Sequence, residues 1–257
     1  MNEERLIEYY NKFNEDKRLT TMHGQVEFLT AMKYIHKYIK SGNKVLDIGA
    51  GTGKYSISLY NEGYDITAVE LIKHNLRVLQ KNEPNIKAYQ GNALNLKFND
   101  NTFDIVLLFG PMYHLISFED KIKALNEAKR VTKPNGLIFI SYCMNEYAVI
   151  THGFIDNNIN ESLKNNLLDK DFKITPVETD LYSFVRLKDI NKLNKECKVK
   201  RVKILNQDGS AEYIKKSINK MDKETFNIFL NYHFKTCEYK ELLGAGRHIL
   251  DIVKKQG

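Results

Sequence analysis

A chain of 257 residues, 42% hydrophobic and 28% charged, is long enough for a full core and ordinary in composition for a globular protein. Its net charge of +7 comes from Lys spread along the chain, with no Arg-rich tract, which argues for a solvated basic surface over a nucleic-acid groove. No apolar run reaches the ~18 residues of a membrane span, no signal-peptide core opens the chain, and Cys143, Cys197 and Cys237 lack zinc spacing, so a cytoplasmic setting is expected.

The chain opens with "EERLIEYYNKFNEDKR", whose Leu6, Ile7, Tyr10 and Phe13 predict an amphipathic helix over 3–18. A second helix is predicted from Gln25 to Lys40 and is stopped by Ser41-Gly42-Asn43. Strands and helices then alternate. "KVLDIG", "DITAVE", "IKAYQ" and "FDIVLLF" read as strands, "KYSISLYNEG" and "KHNLRVLQKN" as helices. "SFEDKIKALNEAKRVTK" is a helix with Ser117 as N-cap and Asp120 in its first turn, and Pro134-Asn135-Gly136 turns the chain into the strand "LIFISY". Such alternation implies βαβ units around a mostly parallel sheet. Past Met144 the rhythm breaks. "KVKRVKIL" alternates like a strand, "AEYIKKSINK" is a short helix, "DKETFNIFLNYHFKTC" is amphipathic, and "HILDIVKK" is a final strand. The expected organisation is one domain over 1–257. A helical cap occupies 1–42 and the cofactor-binding core 43–142; acceptor-binding insertions fill 143–246, with a core strand near 199–205, and are expected to supply most of the acceptor pocket, and the last strand covers 247–253.

"VLDIGAGTGKYSISL" places Gly49, Gly51 and Gly53 between a strand and a helix, where a ligand can approach the main chain closely. The spacing GxGxG lacks the third glycine of a dinucleotide fingerprint. Asp47, just ahead of the loop, would repel a pyrophosphate but suits an ammonium group, which favours an amino-acid-bearing nucleoside over a nicotinamide dinucleotide. Glu70 ends the next strand, where a carboxylate can take two ribose hydroxyls, with Leu71 after it. Asn92 and Ala93 stand at the tip of the third strand, and an amide there can pair with an adenine edge.

This combination resembles the class I S-adenosylmethionine-dependent methyltransferases over about Gln25 to Tyr142. The wider pattern, with "YYNKFNEDKR", "HGQVEFL", "FGPMYHL" and "LLGAGRHILDIVKK", is similar to bacterial small-molecule-type and uncharacterised members. The resemblance implies a Rossmann-like α/β fold with a seven-stranded, mostly parallel sheet, an antiparallel last strand, N-terminal helices and a lid or insertion in the second half. It implies S-adenosylmethionine as cofactor, leaving as S-adenosylhomocysteine. "DIGAGTG" would wrap the methionine part, Glu70 would hold the ribose and Asn92, where the family usually has an aspartate, would read adenine; Phe109 would border the cofactor.

Methyl transfer from a sulfonium is an in-line displacement in which the protein mainly aligns groups, so no catalytic dyad is required. Neither an Asn/Asp-Pro-Pro-Tyr motif nor a Pro-Cys pair is present; Cys143 reads as a buried free thiol. His114 is the catalytic candidate, and Tyr10, Tyr113, His114 and His233 are the substrate-binding candidates. Arg18 and His23 lie beside the expected lid without an assigned role. Aromatic residues of the insertions (Phe154, Phe172, Tyr182, Phe184, Phe226, Phe229, Tyr232) favour a small or medium organic acceptor in a partly apolar cleft. Two alternatives stay open: an RNA methyltransferase using the basic stretch 188–203, and a non-catalytic cofactor-binding module.

Overall fold

The computed structural model describes residues 3–12 and 18–256, so Phe13 lies outside the described residues. Helix α1 runs Glu3–Lys12. Helix α2 runs Met22–Tyr38, starting three residues earlier than the apolar pattern suggests, because the Thr21 hydroxyl caps it by accepting from the Gly24 N–H.

Eight strands follow: β1 Lys44–Ile48, β2 Asp65–Glu70, β3 Lys87–Gln90, β4 Phe103–Leu108, β5 Thr132–Met144, β6 Phe184–Val185, β7 Val199–Asn206 and β8 His248–Lys255. They form one sheet in the order β3-β2-β1-β4-β5-β8-β7, and the two-residue β6 adds to the end of β5. β8 alone runs antiparallel, against both β5 and β7. The sheet thus has one short strand beyond the expected seven. Between the strands lie α3 Lys54–Asn61, α4 Lys73–Asn82, α5 Phe118–Val131, α6 Leu187–Glu196 and α7 Lys223–Thr236.

Side chains alternate across a strand, so a run buried on both faces serves two cores. In β4, Val106 and Leu108 pack with α5 and α6 on one face, whereas Ile105 and Leu107 pack with α2 and α3 on the other. All four are 0–2% exposed, and each contributes about 1.5–3 kcal/mol of burial. That layering fixes β4 at the centre and brings its end to the point where the strand order reverses.

The turn predicted at Pro134-Asn135-Gly136 does not precede the strand. β5 begins at Thr132, which pairs Phe103, while Leu137 pairs Ile105, so residues 133–136 form a register shift inside the strand. Asn135, at φ 65°, takes up the irregular step. The helix predicted over 211–220 shrinks to the single turn Lys215–Ile218. Among the described residues no helix is long and apolar enough to cross a membrane.

Candidate active site

The tips of β1, β2, β3 and β4 enclose a cavity, hereafter the main cavity, with about 950 Å³ of space counting its mouth. It lies at the reversal of strand order, where ligands of open α/β sheets bind. The glycine loop forms one wall. Gly49 has φ 75°, and a Cβ there would stand 2.6 Å from the Pro111 Cδ, so the loop and the β4 tip touch through a glycine. This contact explains the Gly-Pro of "FGPMYHL": Pro111 lies over Gly49 and starts a helical turn, Pro111–His114, that carries Tyr113 and His114.

Glu70 is buried and accepts from the Gly51 N–H (2.7 Å) and the Ile72 N–H (2.8 Å). Its carboxylate therefore braces the loop while lining the cavity. Asp47 accepts from the Ser56 hydroxyl at 2.6 Å. Burial pushes the Asp47 carboxyl up to about 6, against the hydrogen bonds from Ser56. Asn92 accepts from the Leu94 N–H at 2.9 Å, which locks the turn after β3. Leu71, Ala93 and Phe109 line the cavity beside these residues.

Gly53 does not line the cavity. It starts α3 in the left-handed region, at φ 94°, and a Cβ there would meet Leu79 at 2.7 Å, so this glycine serves helix packing. His233 also lies elsewhere: α7 turns it into a separate cavity at the end of β7. None of residues 143–246 lines the main cavity, and of their aromatics only Tyr182 packs against its rim, 5.1 Å from the His114 ring. Phe154, Phe172 and Tyr232 are exposed, and Phe226 packs in a small core of its own against α2.

α1 supplies the roof through Leu6 and Tyr10. The His114 Nδ1 lies 2.8 Å from the Leu181 carbonyl, which can only accept, so Nδ1 carries a proton. Nε2 lies 2.8 Å from the Tyr10 hydroxyl. Burial lowers the His114 pKa to about 4, so the ring is neutral and Nε2 accepts from Tyr10. Tyr113 packs edge-on to His114 and 5.9 Å from the His248 ring.

Arg18, Tyr55 and Asn75 are cavity residues without an assigned role in the sequence. Arg18 donates to Glu27 at 2.8 Å. Tyr55 Oη and Asn75 Oδ1 are buried without a hydrogen-bond partner among the described residues. Nothing in the pattern of α3 or α4 separates them from ordinary core positions; only the fold turns them inward. His23 faces Asn219 instead, at 3.0 Å.

Behind Arg18 lies a buried ionic chain. The His248 Nδ1 stands 2.8 Å from Asp208 and 3.5 Å from Glu27. Burial disfavours a charged His248, but the Glu27 carboxylate and its neighbours raise its pKa to about 10. Glu27 is held at about 2, since the charges of Arg18, His248 and Arg247 outweigh burial. These three ligand-type side chains lie within 4.8 Å of one another. Their carboxylates are neutralised by Arg18 and the imidazolium, and this favours an ion-pair chain over a cation site. In the basic stretch 188–203, Arg201 pairs with Asp251, Lys203 with Glu238, and Lys192 lies over Phe118.

Residues 46–140 match the family described as "Methyltransferase domain". A demethylmenaquinone methyltransferase of Paenarthrobacter aurescens is 39% identical over 104 residues, which span 40% of each chain. A SAM-dependent methyltransferase from Methanosarcina mazei has a similar fold (TM-score 0.59, 15% identity), covering 87% of this chain and 97% of the other. So does phosphoethanolamine N-methyltransferase 2 of Haemonchus contortus, solved with S-adenosyl-L-methionine (TM-score 0.56, 16% identity, 90% and 53% covered).

Proposed function

Starting from a chain that carries a class I S-adenosylmethionine-dependent methyltransferase domain, we propose that it transfers the cofactor's methyl group to a small or medium organic acceptor. The observation that carries this reading is the meeting of Asp47, the Gly49–Gly51 loop, Glu70 and Asn92 in one roofed cavity. The cofactor fits that donor set. Its ammonium, ribose diol and adenine have counterparts in Asp47, Glu70 and Asn92, and the unpartnered Tyr55 Oη and Asn75 Oδ1 await polar partners.

The bound cofactor supplies an electrophilic methyl group on a sulfonium. Everything else asked of the chain is alignment and exclusion of water. Glu70 both holds the ribose and fixes Gly51, so cofactor binding and loop shape are tied to one side chain. Leu6 and Tyr10 cover the cavity, and Tyr113 and His114 line it from the β4 tip. His114 is neutral, but its Nε2 is held by Tyr10. It can take a proton only after that bond opens. The internal pairing of Arg201 and Lys203 weakens the basis for an RNA acceptor.

Calorimetry with S-adenosylhomocysteine tests the cofactor assignment. The wild type should bind, and Glu70→Ala should weaken binding at least tenfold, about 1.4 kcal/mol; unchanged affinity would sink the ribose role. Incubation with labelled cofactor and separate metabolite and RNA fractions tests the acceptor class. Label in RNA alone would overturn a small-molecule acceptor.

A further inference from the structure

Seven buried side-chain polar atoms have no hydrogen-bond partner among the described residues. Two of them, on Tyr55 and Asn75, face the cofactor cavity. Two more, Tyr213 Oη and His233 Nε2, belong to side chains that line a second cavity of about 560 Å³ counting its mouth, which shares no residue with the first. The same mark thus appears at a second place.

That cavity sits where β7 ends at Asn206. α7 presents Phe229, Tyr232, His233 and Thr236 to it, spaced three and four apart on one helical face. His233 is 3% exposed, and burial lowers its pKa to about 4. The Gln207 main chain opposes that shift, and burial outweighs it. The ring is therefore neutral; Nδ1 faces Gly209, and Nε2 is buried without a partner. Tyr213 offers an O–H group. No side chain lining the cavity is charged, in contrast to the cofactor cavity with Arg18, Asp47, Lys54 and Glu70.

Water could satisfy both orphans, but Phe229, Leu242 and Ala245 give the cavity an apolar wall, and its inner space of about 150 Å³ matches a benzene-sized body. The β7 tip is three strand spacings from the β4 tip, roughly 14 Å, too far for this to be where the methyl group moves. We propose that this cavity is a second small-molecule site, for an uncharged, hydroxyl-bearing molecule of about the size of phenol. The hydroxyl bonds to His233 Nε2 and to Tyr213 Oη, while the body lies on Phe229, Leu242 and Ala245.

Phenol is the probe, titrated into the full chain saturated with S-adenosylhomocysteine and followed by amide NMR shifts. Binding should be saturable, with shifts centred on Asn206–Tyr213 and α7. Benzene should bind at least fivefold more weakly, and benzoate should not bind. Tyr213→Phe, which keeps the ring and the fold, should bring phenol down to the level of benzene. Non-saturable shifts, which would mean water only, overturn the proposal. So do equal affinities for phenol and benzene, an unaffected Tyr213→Phe variant, or shifts confined to the cofactor cavity. Failure of S-adenosylhomocysteine to bind would count against the cofactor reading alone, since the titration can be repeated without it.

Discussion

Gly49 shows how much of the site depends on one backbone position. Its φ of 75° and the 2.6 Å approach to Pro111 leave no room for a side chain. Gly49→Ala should cost about 2 kcal/mol or more, read as a lower urea midpoint, and should displace the β4 tip that carries Tyr113 and His114. His114 gives a second residue-scale prediction. Its depressed pKa, about 4 against an ordinary 6.5, means that the unfolded chain binds more protons between those values. This contribution to stability is therefore intact above pH 6.5 and lost as pH falls toward 4. Tyr10→Phe removes the hydroxyl that stabilises the neutral ring. It should cost about 1 kcal/mol and move the His114 pKa upward, as an NMR titration would show; an unmoved value would mean that Tyr10 is not its partner.

At the scale of elements, α1 is the weakly held part of the site. Its contacts are largely polar: Tyr10 to His114, Tyr9 to Tyr182 (3.2 Å), and Arg5 to the Thr179 carbonyl, with Leu6 the buried apolar anchor. Elements with few buried apolar contacts open at low free-energy cost. Limited proteolysis should therefore cut near α1 first, and S-adenosylhomocysteine should slow that cut several-fold, because Leu6 and Tyr10 line its cavity. Equal rates with and without ligand would show that α1 is no roof. The segment after β4 is held differently. The Lys121 ammonium is buried between the Leu115 carbonyl and Ser183 (2.9 Å), and the Ser183 N–H donates to the Tyr113 carbonyl at 2.7 Å.

Across the whole molecule, the chain Arg18–Glu27–His248–Asp208 joins the cavity wall, α2, the start of β8 and the loop after β7. His248 binds its proton more tightly folded than unfolded, with a pKa near 10. Its stabilisation is fully present below pH 6.5 and is lost as pH rises toward 10. Lys121 works in the opposite sense, since burial lowers it to about 8 and the unfolded chain holds its proton longer. The clean measurement is thus a difference. The stability gap between wild type and His248→Gln, from urea unfolding, should be largest near pH 6.5 and shrink through pH 9.5. A gap independent of pH would show that the ring is neutral in the fold.

Local pattern determined the alternating strands and helices, the glycine loop, and the positions of Asp47, Glu70, Asn92 and Phe109 at successive strand tips. These follow from periodicity, turn residues and the rule that parallel strands end on one side of a sheet. The direction of His114 was not legible, because Leu181 and Tyr10 meet it from 67 and 104 residues away. Gly53 and His233 matched the patterns of a binding loop and a helix face, yet packing against Leu79 and against the β7 end gave them other places. Tyr55, Asn75 and Arg18 carried no local mark, and Glu27, Asp208 and His248 are separated by up to 221 residues in the chain and less than 5 Å in the fold. Local sequence sets which residues share a face or a tip. Only the assembled sheet decides which faces meet, because that choice rests on burying apolar surface brought together from distant segments.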